Sequence, residues 1–323
     1  MSAPAPARDE TAQLYRRFAE HEARGHSPVY EALARHVAAD DDILSFLLTL
    51  PKAKRQPNLL LAAVRQLCGT PADGRDLRQL LMVHAAAVRE LMLQRSTQTN
   101  EPARCAVLLP ALAALPQPLA LIEVGASAGL CLLPDFYGYD YGRTRIGPPT
   151  ATAPIFPCCA SPNTPLPTLL PRIVWRAGLD LSPLSVADPQ QRAWLEALVW
   201  PEQVARLERL RQAMAVAETV GTRVVRGDLR HDLATLAMEA PREATLVVFH
   251  TAVLGYVAAP AERPSFAQRA RQVADCWIAN EAPAVFPDIA RRAGPARRGF
   301  VLSVDGRPVA WTDPHGASID WID

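Results

Sequence analysis

The sequence predicts an α/β protein in which an α-helical N-terminal region, residues 1–117, precedes a sheet-containing domain, residues 118–323. Before residue 118 the apolar residues recur at helical spacing, whereas after it short β-branched and aromatic runs alternate with helical stretches, a pattern typical of a sheet covered by helices. Near the C-terminus, Asp305-Gly306 separates two such runs, and Asp-Gly favours the tight turn of an antiparallel hairpin. The predicted strands are Leu119–Val124, Ile173–Leu179, Arg223–Arg226, Thr245–His250, Cys276–Ala279, Phe300–Val304 and Val309–Thr312.

The N-terminal region contains three amphipathic runs, each preceded by an Asp or Asn. These residue types favour a helix N-cap, because their side chains accept hydrogen bonds from the first free amides. The expected caps and last apolar residues of the three helices are Asp42 and Leu50, Asn58 and Leu67, and Asp76 and Leu91.

Composition excludes several classes of protein. The chain has 34 Lys and Arg residues against 33 Asp and Glu, a net charge of +1, so no global field attracts nucleic acid or acidic lipid, and a nucleic-acid partner is not expected. Its longest apolar runs are far shorter than the roughly 20 residues that cross a bilayer. The first residues carry charges where a signal peptide needs an apolar segment, so we expect a cytoplasmic protein without a membrane partner.

Two further features of the sequence are less easily placed. The segment Gly147–Pro171 is rich in proline and too long for an ordinary connection, which predicts an insertion or a lid. Cys158-Cys159 has the form of a vicinal redox pair, although small buried hydrophobic residues are the commoner role of cysteine. The cysteines and histidines show no ligand spacing for zinc, so no metal site is expected.

The chemistry of the chain begins at its first predicted strand, which ends at Glu123 and runs into a turn of small residues. Gly125, Ser127 and Gly129 remove side-chain bulk, so a ligand can approach the backbone amides at the start of a following helix. In open α/β sheets the first strand-to-helix turn commonly binds a nucleotide-like ligand. A tight turn that needs small residues only for packing is the simpler interpretation.

The same turn also matches the nucleophile elbow G-x-S-x-G of α/β-hydrolases, with Ser127 as the nucleophile. Asp228 or Asp305, followed by His315, completes the required Ser–Asp–His order. A hydrolase elbow follows several earlier strands, however, whereas Ser127 follows the first predicted strand.

Polar residues also end the later predicted strands. Asp180 stands where an acidic residue commonly receives ribose hydroxyl groups in a nucleotide-binding sheet. Asp228 and the backbone N–H of Leu229 have the donor and acceptor pattern needed to bind an adenine edge, and His250 ends the fourth strand. Each of these residues alone is more often a helix cap or a turn residue. Their recurrence at successive strand ends favours a ligand site.

Seven short motifs occur in a fixed order along the chain: N-E-P-A-R (Asn100–Arg104), E-V-G-A-S-A-G-L (Glu123–Leu130), R-A-G-L-D-L-S-P-L (Arg176–Leu184), W-L-E-A-L-V-W-P (Trp194–Pro201), R-G-D-L (Arg226–Leu229), V-F-H-T-A-V-L-G-Y (Val248–Tyr256) and D-P-H-G (Asp313–Gly316). Together they resemble a mainly bacterial family of uncharacterised proteins, the domain of unknown function DUF2332. The pattern of a parallel sheet that closes with a hairpin also resembles the Rossmann-like fold of class I S-adenosylmethionine-dependent methyltransferases.

The resemblance to methyltransferases implies an architecture and a set of site residues. It implies a Rossmann-like, methyltransferase-type sheet with a C-terminal antiparallel hairpin, preceded by the α-helical region. The residues that match the cofactor pattern are Glu123, Gly125, Ser127 and Gly129 at the turn, Asp180 on the ribose, and Asp228, Leu229 and His250 beyond it.

Other residues of the motifs are candidates for the transfer step. His250, Tyr256 or Glu281 could take a proton from the acceptor, although transfer from a sulfonium depends mainly on in-line positioning. Asn100, Glu101 and Arg104 are the candidate substrate residues, because an amide and a guanidinium suit a polar or carboxylate ligand; helix capping and a surface ion pair are the alternative roles.

The function expected from the sequence is therefore S-adenosylmethionine-dependent methyl transfer to a small polar molecule. The first alternative is a non-catalytic protein that binds a nucleotide-like ligand or a protein partner, because no methyltransferase-type N-P-P-Y motif is present. The second alternative is a hydrolase that depends on Ser127.

Overall fold

The structure is a computed structural model that describes residues 5–98, 100–148, 153–257, 259–295 and 297–322. These residues form a mixed α/β fold with a large, mostly parallel central sheet. The helices are α1 (Ala5–Arg17), α2 (Pro28–Val37), α3 (Asp41–Leu48), α4 (Pro57–Cys68), α5 (Gly74–Val83), α6 (Ala85–Gln94), α7 (Arg104–Ala113), α8 (Pro189–Ala197), α9 (Val204–Val220), α10 (Leu233–Ala237), α11 (Glu262–Val273) and α12 (Pro287–Arg292). The strands are β1 (Leu119–Val124), β2 (Gly138–Asp140), β3 (Arg145–Ile146), β4 (Ile155–Pro157), β5 (Cys159–Ala160), β6 (Ile173–Asp180), β7 (Val224–Arg226), β8 (Thr245–Thr251), β9 (Cys276–Glu281), β10 (Phe300–Val304), β11 (Arg307–Thr312) and β12 (Ser318–Trp321).

The described residues before β1 form helices, whose ends differ from the predicted ones. Asp40, not Asp42, caps α3, because its carboxylate accepts hydrogen bonds from the amides of residues 42 and 43. Helix α4 begins at Pro57, so Asn58 lies inside it and is not its cap. Gly69 ends α4 with a φ of 88°, a backbone angle that favours glycine. The third predicted run begins after the cap Asp73 and is broken at His84 into α5 and α6, a break that the continuous apolar spacing concealed.

The chain forms two compact units. One comprises Met1–Thr99 and Asp188–Glu208, and the other comprises Asn100–Ala187 and Arg209–Asp323. Residues 188–208 therefore belong with the N-terminal helices although they lie far along the sequence. Helix α7, which precedes the predicted boundary at residue 117, belongs with the sheet.

Within the first unit, segment 188–208 packs through two tryptophans. The indole N–H of Trp194 donates to the carbonyl oxygen of Ser96 at 3.1 Å, and that of Trp200 donates to Asn58 Oδ1 at 3.0 Å. Trp194 is fully buried. An aromatic ring that buries this much area, with its polar atom satisfied, contributes strongly to a small core.

The central sheet of the second unit has nine strands, in the order β5-β12-β11-β10-β9-β8-β1-β6-β7. The strands from β9 to β7 run parallel, and β10, β11 and β12 continue the sheet in alternating directions. Because the chain builds outward from β1 to one side and then resumes at β8 on the other, the carboxyl ends of β1 and β8 form a topological switch point, where open α/β sheets bind ligands.

The seven predicted strands all occur, and the turn at Asp305-Gly306 joins β10 and β11 as an antiparallel hairpin, as expected. Strands β2, β3, β4, β5 and β12 were not predicted, because each is too short to show an alternating pattern. The described part of the proline-rich insertion is not a free lid: β4 pairs with β2 in a small second sheet, and β5 pairs with β12 at the edge of the central sheet.

The two faces of the central sheet carry different side chains because successive residues of a strand alternate between them. One face holds an apolar cluster that includes Ile122, Val248 and Trp277. The opposite face carries Glu123, Thr251, Asn280 and Thr312, as the register of the strands requires. No helix within the described ranges is long and apolar enough to span a membrane.

The role of Trp194 can be tested by truncation. We expect Trp194→Ala to lower the free energy of unfolding by about 3–5 kcal/mol, because it removes a fully buried ring and leaves a cavity. Gln190→Ala, an exposed change on the same helix, is the control and should cost less than about 0.5 kcal/mol. Urea denaturation followed by circular dichroism measures both, and equal effects would contradict the packing of α8 described above.

Candidate ligand site

The turn after β1 lies at the topological switch point and has an unusual backbone. Gly125, Ser127 and Gly129 have φ angles of 71°, 50° and 70°. Left-handed conformations at alternate residues turn the chain sharply, and they favour glycine because other side chains clash with the backbone there. The predicted α-helix does not follow this turn: Leu130–Leu132 form one 3₁₀ turn instead.

Two glycines of this region are required by close packing as well as by backbone angle. A Cβ atom at Gly125 would clash with Val253, and one at Gly129 would lie 3.0 Å from Cγ2 of Val224. The turn is therefore packed closely against Val253, which follows β8, and Val224, in β7, and these contacts restrict its conformation.

The backbone amides of the turn all donate hydrogen bonds within the protein. Those of residues 125 and 126 donate to the carbonyl oxygen of Leu179, at 2.7 and 3.4 Å, and that of Gly129 donates to the carbonyl oxygen of residue 126 at 2.7 Å. The amide of Ser127 donates to Asp180 Oδ2 at 2.8 Å, and the amide of residue 128 donates to Asn100 Oδ1 at 3.0 Å. A phosphate-binding loop needs free amides that point at the anion, so this turn is not built to hold a phosphate.

Asp180 and Asn100 are thus brought together at the turn. Asp180 also accepts from the amide of Ser182 through Oδ1, at 2.7 Å. Asn100 donates through Nδ2 to the Ser127 hydroxyl at 2.8 Å. The structure gives both residues a role in shaping the turn, and each oxygen of the Asp180 carboxylate keeps the capacity for a further hydrogen bond.

Glu123 lies one residue before the end of β1 and is 5% exposed. Its Oε2 atom is buried and has no hydrogen-bond partner among the described residues. Burial raises the pKa of this carboxyl group well above its usual range, with a further contribution from the Cys131 thiol, while the positive charge of Arg104 acts in the opposite direction. A buried polar atom left unpaired costs about 1–3 kcal/mol, so Glu123 is a candidate to bind a ligand.

Arg104, the first residue of α7, is also 5% exposed. Its Nε donates to the carbonyl oxygen of Pro314 at 2.8 Å, and its Nη1 donates to the carbonyl and hydroxyl oxygens of Thr251 at 3.2 and 3.3 Å. Nearby Glu101 accepts from the amide of residue 103 at 3.2 Å and lies 4.0 Å from His315 Nδ1. The N-E-P-A-R motif therefore spans from the turn to the end of β8.

His250 and Glu281, two of the predicted bases, lie on the opposite face of the sheet. His250 is 0% exposed; its Nε2 accepts from the indole N–H of Trp277 at 3.1 Å, and its Nδ1 lies 2.7 Å from Glu281 Oε1. Because an indole only donates, Nδ1 must carry the proton that is given to the carboxylate. The same Glu281 oxygen accepts the amides of Val253 and Leu254 at 2.9 and 3.0 Å. This geometry gives the pair a structural role after β8 and does not favour either residue as a base or His250 as a cofactor contact.

The other predicted residues lie at the carboxyl edge without converging on Glu123. Asp228 forms a two-point ion pair with Arg230, whose guanidinium lowers the pKa of the carboxyl to about 2. No described residue accepts a hydrogen bond from the Leu229 amide. Tyr256 is 78% exposed on a 3₁₀ turn, so it is available to a ligand but is not oriented by packing.

The hydrolase arrangement is not assembled by the contacts of its predicted members. Asp228 is paired with Arg230, and Asp305 accepts the amide of Trp277 at 2.8 Å inside the hairpin turn. His315 lies near Glu101. The left-handed φ of Ser127 is nevertheless a feature that a nucleophile elbow requires.

The Cys158 thiol lacks the features of a redox nucleophile. Burial raises the pKa of the Cys158 thiol to about 12, with a smaller contribution from Cys159, and a thiol that resists ionisation is a poor nucleophile. Across the described residues, no three or more His, Cys, Asp or Glu side chains are grouped to hold a metal ion.

Sequence reasoning missed Asn280. This residue pairs in register with Thr251, is 0% exposed, and its Nδ2 has no hydrogen-bond partner among the described residues. The signal was present in W-I-A-N-E, because alternation places Asn280 on the face of Glu123 and Glu281 on the other.

The fold and this site define an α/β protein whose parallel strands carry a candidate ligand site at a topological switch point. The model of a family described as uncharacterised proteins conserved in bacteria (DUF2332) matches residues 12–321. The chain belongs to this family, as its motifs predicted. No curated protein and no solved structure matches the chain.

The raised pKa of buried Glu123 predicts that the stability of the protein depends on pH. Because its pKa is higher in the folded protein than in the unfolded chain, its contribution to stability is fully present below about pH 4.3 and is lost as the pH rises toward the folded-state pKa. Glu123→Gln, which mimics the protonated form, should therefore increase the free energy of unfolding at pH 8, by an amount on the order of 1 kcal/mol, and should leave it unchanged at pH 4.

Urea denaturation of the two proteins at several pH values tests this expectation. The control is Glu239→Gln, because Arg223 lowers the pKa of exposed Glu239 and its replacement should not stabilise the protein at pH 8. A Glu123→Gln variant that is less stable than the parent at pH 8 would show that Glu123 is ionised and paired.

Proposed function

We propose that this protein binds S-adenosylmethionine at the carboxyl ends of β1, β6 and β7 and transfers its methyl group to a small polar molecule. The observation that supports the proposal most is the turn after β1, whose amides are all satisfied within the protein. Such a turn admits a ligand closely but disfavours a phosphate. S-Adenosylmethionine is a nucleoside without phosphate groups, unlike the dinucleotides and nucleoside triphosphates that bind similar sheets.

The residues that would hold the nucleoside lie along neighbouring strand ends. Asp180 is fixed by two backbone amides and can still accept the ribose hydroxyl groups. The Leu229 amide and the Asp228 carboxylate supply the donor and the acceptor for an adenine edge. Leu181, an exposed apolar side chain directly after Asp180, offers a surface against which a base can pack.

Glu123 would hold the opposite end of the same ligand. Its unpaired Oε2 lies beside the turn, where it can accept from the ligand's ammonium group. Binding of that cation would favour the ionised carboxylate and would release a proton from Glu123.

Methyl transfer makes few demands on the side chains of this site. When bound, S-adenosylmethionine supplies an electrophilic methyl group, whose bond to sulfur breaks as the acceptor atom bonds to carbon. The chain must hold the acceptor in line with that bond and exclude water. A base is needed only for a weakly nucleophilic acceptor, which agrees with the commitment of both His250 nitrogens to the core.

The cofactor is tested by thermal denaturation with S-adenosylhomocysteine. We expect it to raise the melting temperature of the wild-type protein, since a ligand at 100 times its dissociation constant contributes about 2.7 kcal/mol. Asp180→Asn should bind it roughly 10- to 100-fold more weakly, the scale of a lost hydrogen bond to a charged group. Isothermal titration calorimetry measures the dissociation constants.

The matched control is Asp275→Asn, because Asp275 also accepts a backbone amide, that of Leu246, but at the amino end of the sheet. It should leave the affinity for S-adenosylhomocysteine unchanged. The absence of both a thermal shift and heat at millimolar ligand would refute the proposal. A larger shift with NAD or ATP would contradict the argument that the turn rejects phosphate.

The non-catalytic alternative shares the ligand and differs in turnover. It is favoured by the structural commitment of His250 and Glu281. Tight binding of S-adenosylmethionine without consumption in the presence of acceptors would select it.

Hydrolysis remains the second candidate because Ser127 has the left-handed φ of a nucleophile elbow. We expect the wild-type protein not to react with a fluorophosphonate probe, since the Asn100 amide already donates a hydrogen bond to the Ser127 hydroxyl. Mass spectrometry after labelling checks this, with Ser127→Ala as the control. A stable adduct at Ser127 that disappears in the variant would establish a hydrolase.

A further inference from the structure

We infer that Arg104 and Asn280 form a subsite for the carboxylate group of the acceptor molecule. The identification of the bound molecule as the methyl acceptor rests on the proposed function, whereas the carboxylate site itself does not. The inference depends on the charge of Arg104, on the unpaired amide of Asn280, and on a pocket whose wall includes residues that bind each of them.

Arg104 carries a buried charge and forms no salt bridge with an acidic side chain of the described residues. It is the single arginine or lysine among the buried side chains of the described residues, and its hydrogen-bond acceptors are two carbonyl oxygens and one hydroxyl. Within the described part of the chain it makes no ion pair. Burying a cation without an anion is costly, so the arrangement is completed by an anion that enters from outside.

Glu123 does not supply that anion. Its Oε2 atom has no hydrogen-bond partner among the described residues, Arg104 included, and burial raises the pKa of its carboxyl group against the opposing charge of Arg104. A guanidinium without a salt bridge can take one negative charge from a ligand. A carboxylate meets this need, and a planar guanidinium is well suited to bind it.

Asn280 provides a second donor beside the first. Strands β8 and β9 pair Thr251 with Asn280, so their side chains point to the same face about 4.8 Å apart. The Asn280 Oδ1 atom accepts from the Thr312 hydroxyl at 2.7 Å, whereas its Nδ2 has no partner among the described residues. Arg104 binds the carbonyl and hydroxyl oxygens of Thr251, and Asn280 is the register partner of Thr251, so both donors neighbour the same residue at the carboxyl edge.

A pocket shares part of its wall with the residues that bind the two donors. The pocket has a volume of about 330 Å³ and includes Thr312 and Pro314 in its wall. These are the residues that bind Asn280 and Arg104. The donors lie toward β8 and β9, whereas Asp180 and Asp228 follow β6 and β7 on the other side of β1. The carboxylate-bearing molecule and the nucleoside therefore occupy opposite halves of the edge.

The test uses benzoate as the carboxylate probe and benzamide as its neutral isostere, at constant ionic strength, with and without S-adenosylhomocysteine. Calorimetry should show that benzoate binds the wild-type protein at least tenfold more tightly than benzamide. Arg104→Met should abolish this preference, because it replaces the guanidinium by an apolar chain of similar length. Arg145→Met, which removes an exposed arginine paired with Asp140 outside the pocket, is the control and should preserve it. Arg298→Met removes an arginine of the pocket wall and shows whether benzoate binds there instead.

Asn280→Asp provides a second variant that keeps the shape of the side chain. An aspartate there supplies Arg104 with an internal carboxylate, so we expect a higher melting temperature and loss of the benzoate response. Three results would each overturn the carboxylate subsite. They are equal binding of benzoate and benzamide, a benzoate response that is lost in Arg298→Met but kept in Arg104→Met, and binding of inorganic phosphate that is stronger than binding of benzoate. If S-adenosylhomocysteine fails to bind while benzoate binds through Arg104, the proposed function fails and the carboxylate subsite stands.

Discussion

The hydrogen bond from the backbone amide of Ser127 to the Asp180 carboxylate is the constraint on which the site depends. It joins the turn after β1 to the end of β6, and Asn100 secures the next amide from the start of the second unit. Left-handed residues at alternate positions would be unstable in an isolated turn, and these contacts hold them. The turn consequently has a fixed shape and no amide left for an anion.

The two faces of the sheet divide the polar residues into two classes. On the face with the apolar cluster, His250, Trp277 and Glu281 satisfy one another and hold the chain after β8. On the other face, Glu123 and Asn280 each retain an unpaired buried atom. Fully satisfied buried networks make a fold rigid, whereas buried atoms without partners point to a ligand. Alternation along β1, β8 and β9 therefore separates the residues that satisfy one another in the core from those that are candidates to bind a ligand.

Much of the fold followed from local sequence. Strands β1, β6, β8, β9 and the hairpin were predicted because each has a strong apolar or turn signal of its own. The helix expected after Gly129 does not form. Leu130–Leu132 make a single 3₁₀ turn, and the chain then runs into the small second sheet. The packing of residues 188–208 with the N-terminal helices was not predicted, since it depends on contacts over about a hundred residues or more, such as that of Trp194 with Ser96.

The sequence predicted where the site residues lie along the strands, but it predicted less well which residues they contact. Glu123, Gly125 and Asp180 lie at the carboxyl edge as the strand ends indicated. That Asn100 would bind the turn depended on a contact between segments 27 residues apart, which no local pattern encodes. The partners of His250, Trp277 and Glu281, lie on the neighbouring strand β9 and were likewise not predictable from local sequence. Arg104 was identified as a substrate residue from its type, while its lack of a salt bridge became visible only with the partners Thr251 and Pro314 in place.

The most direct measurement of this account is a crystal structure of the protein grown with S-adenosylhomocysteine. The account predicts the ribose hydroxyl groups within hydrogen-bond distance of Asp180, the ammonium group at Glu123, and a turn that keeps the Ser127 amide on Asp180. A ligand bound elsewhere, or a turn that releases its amides to contact the ligand, would contradict it.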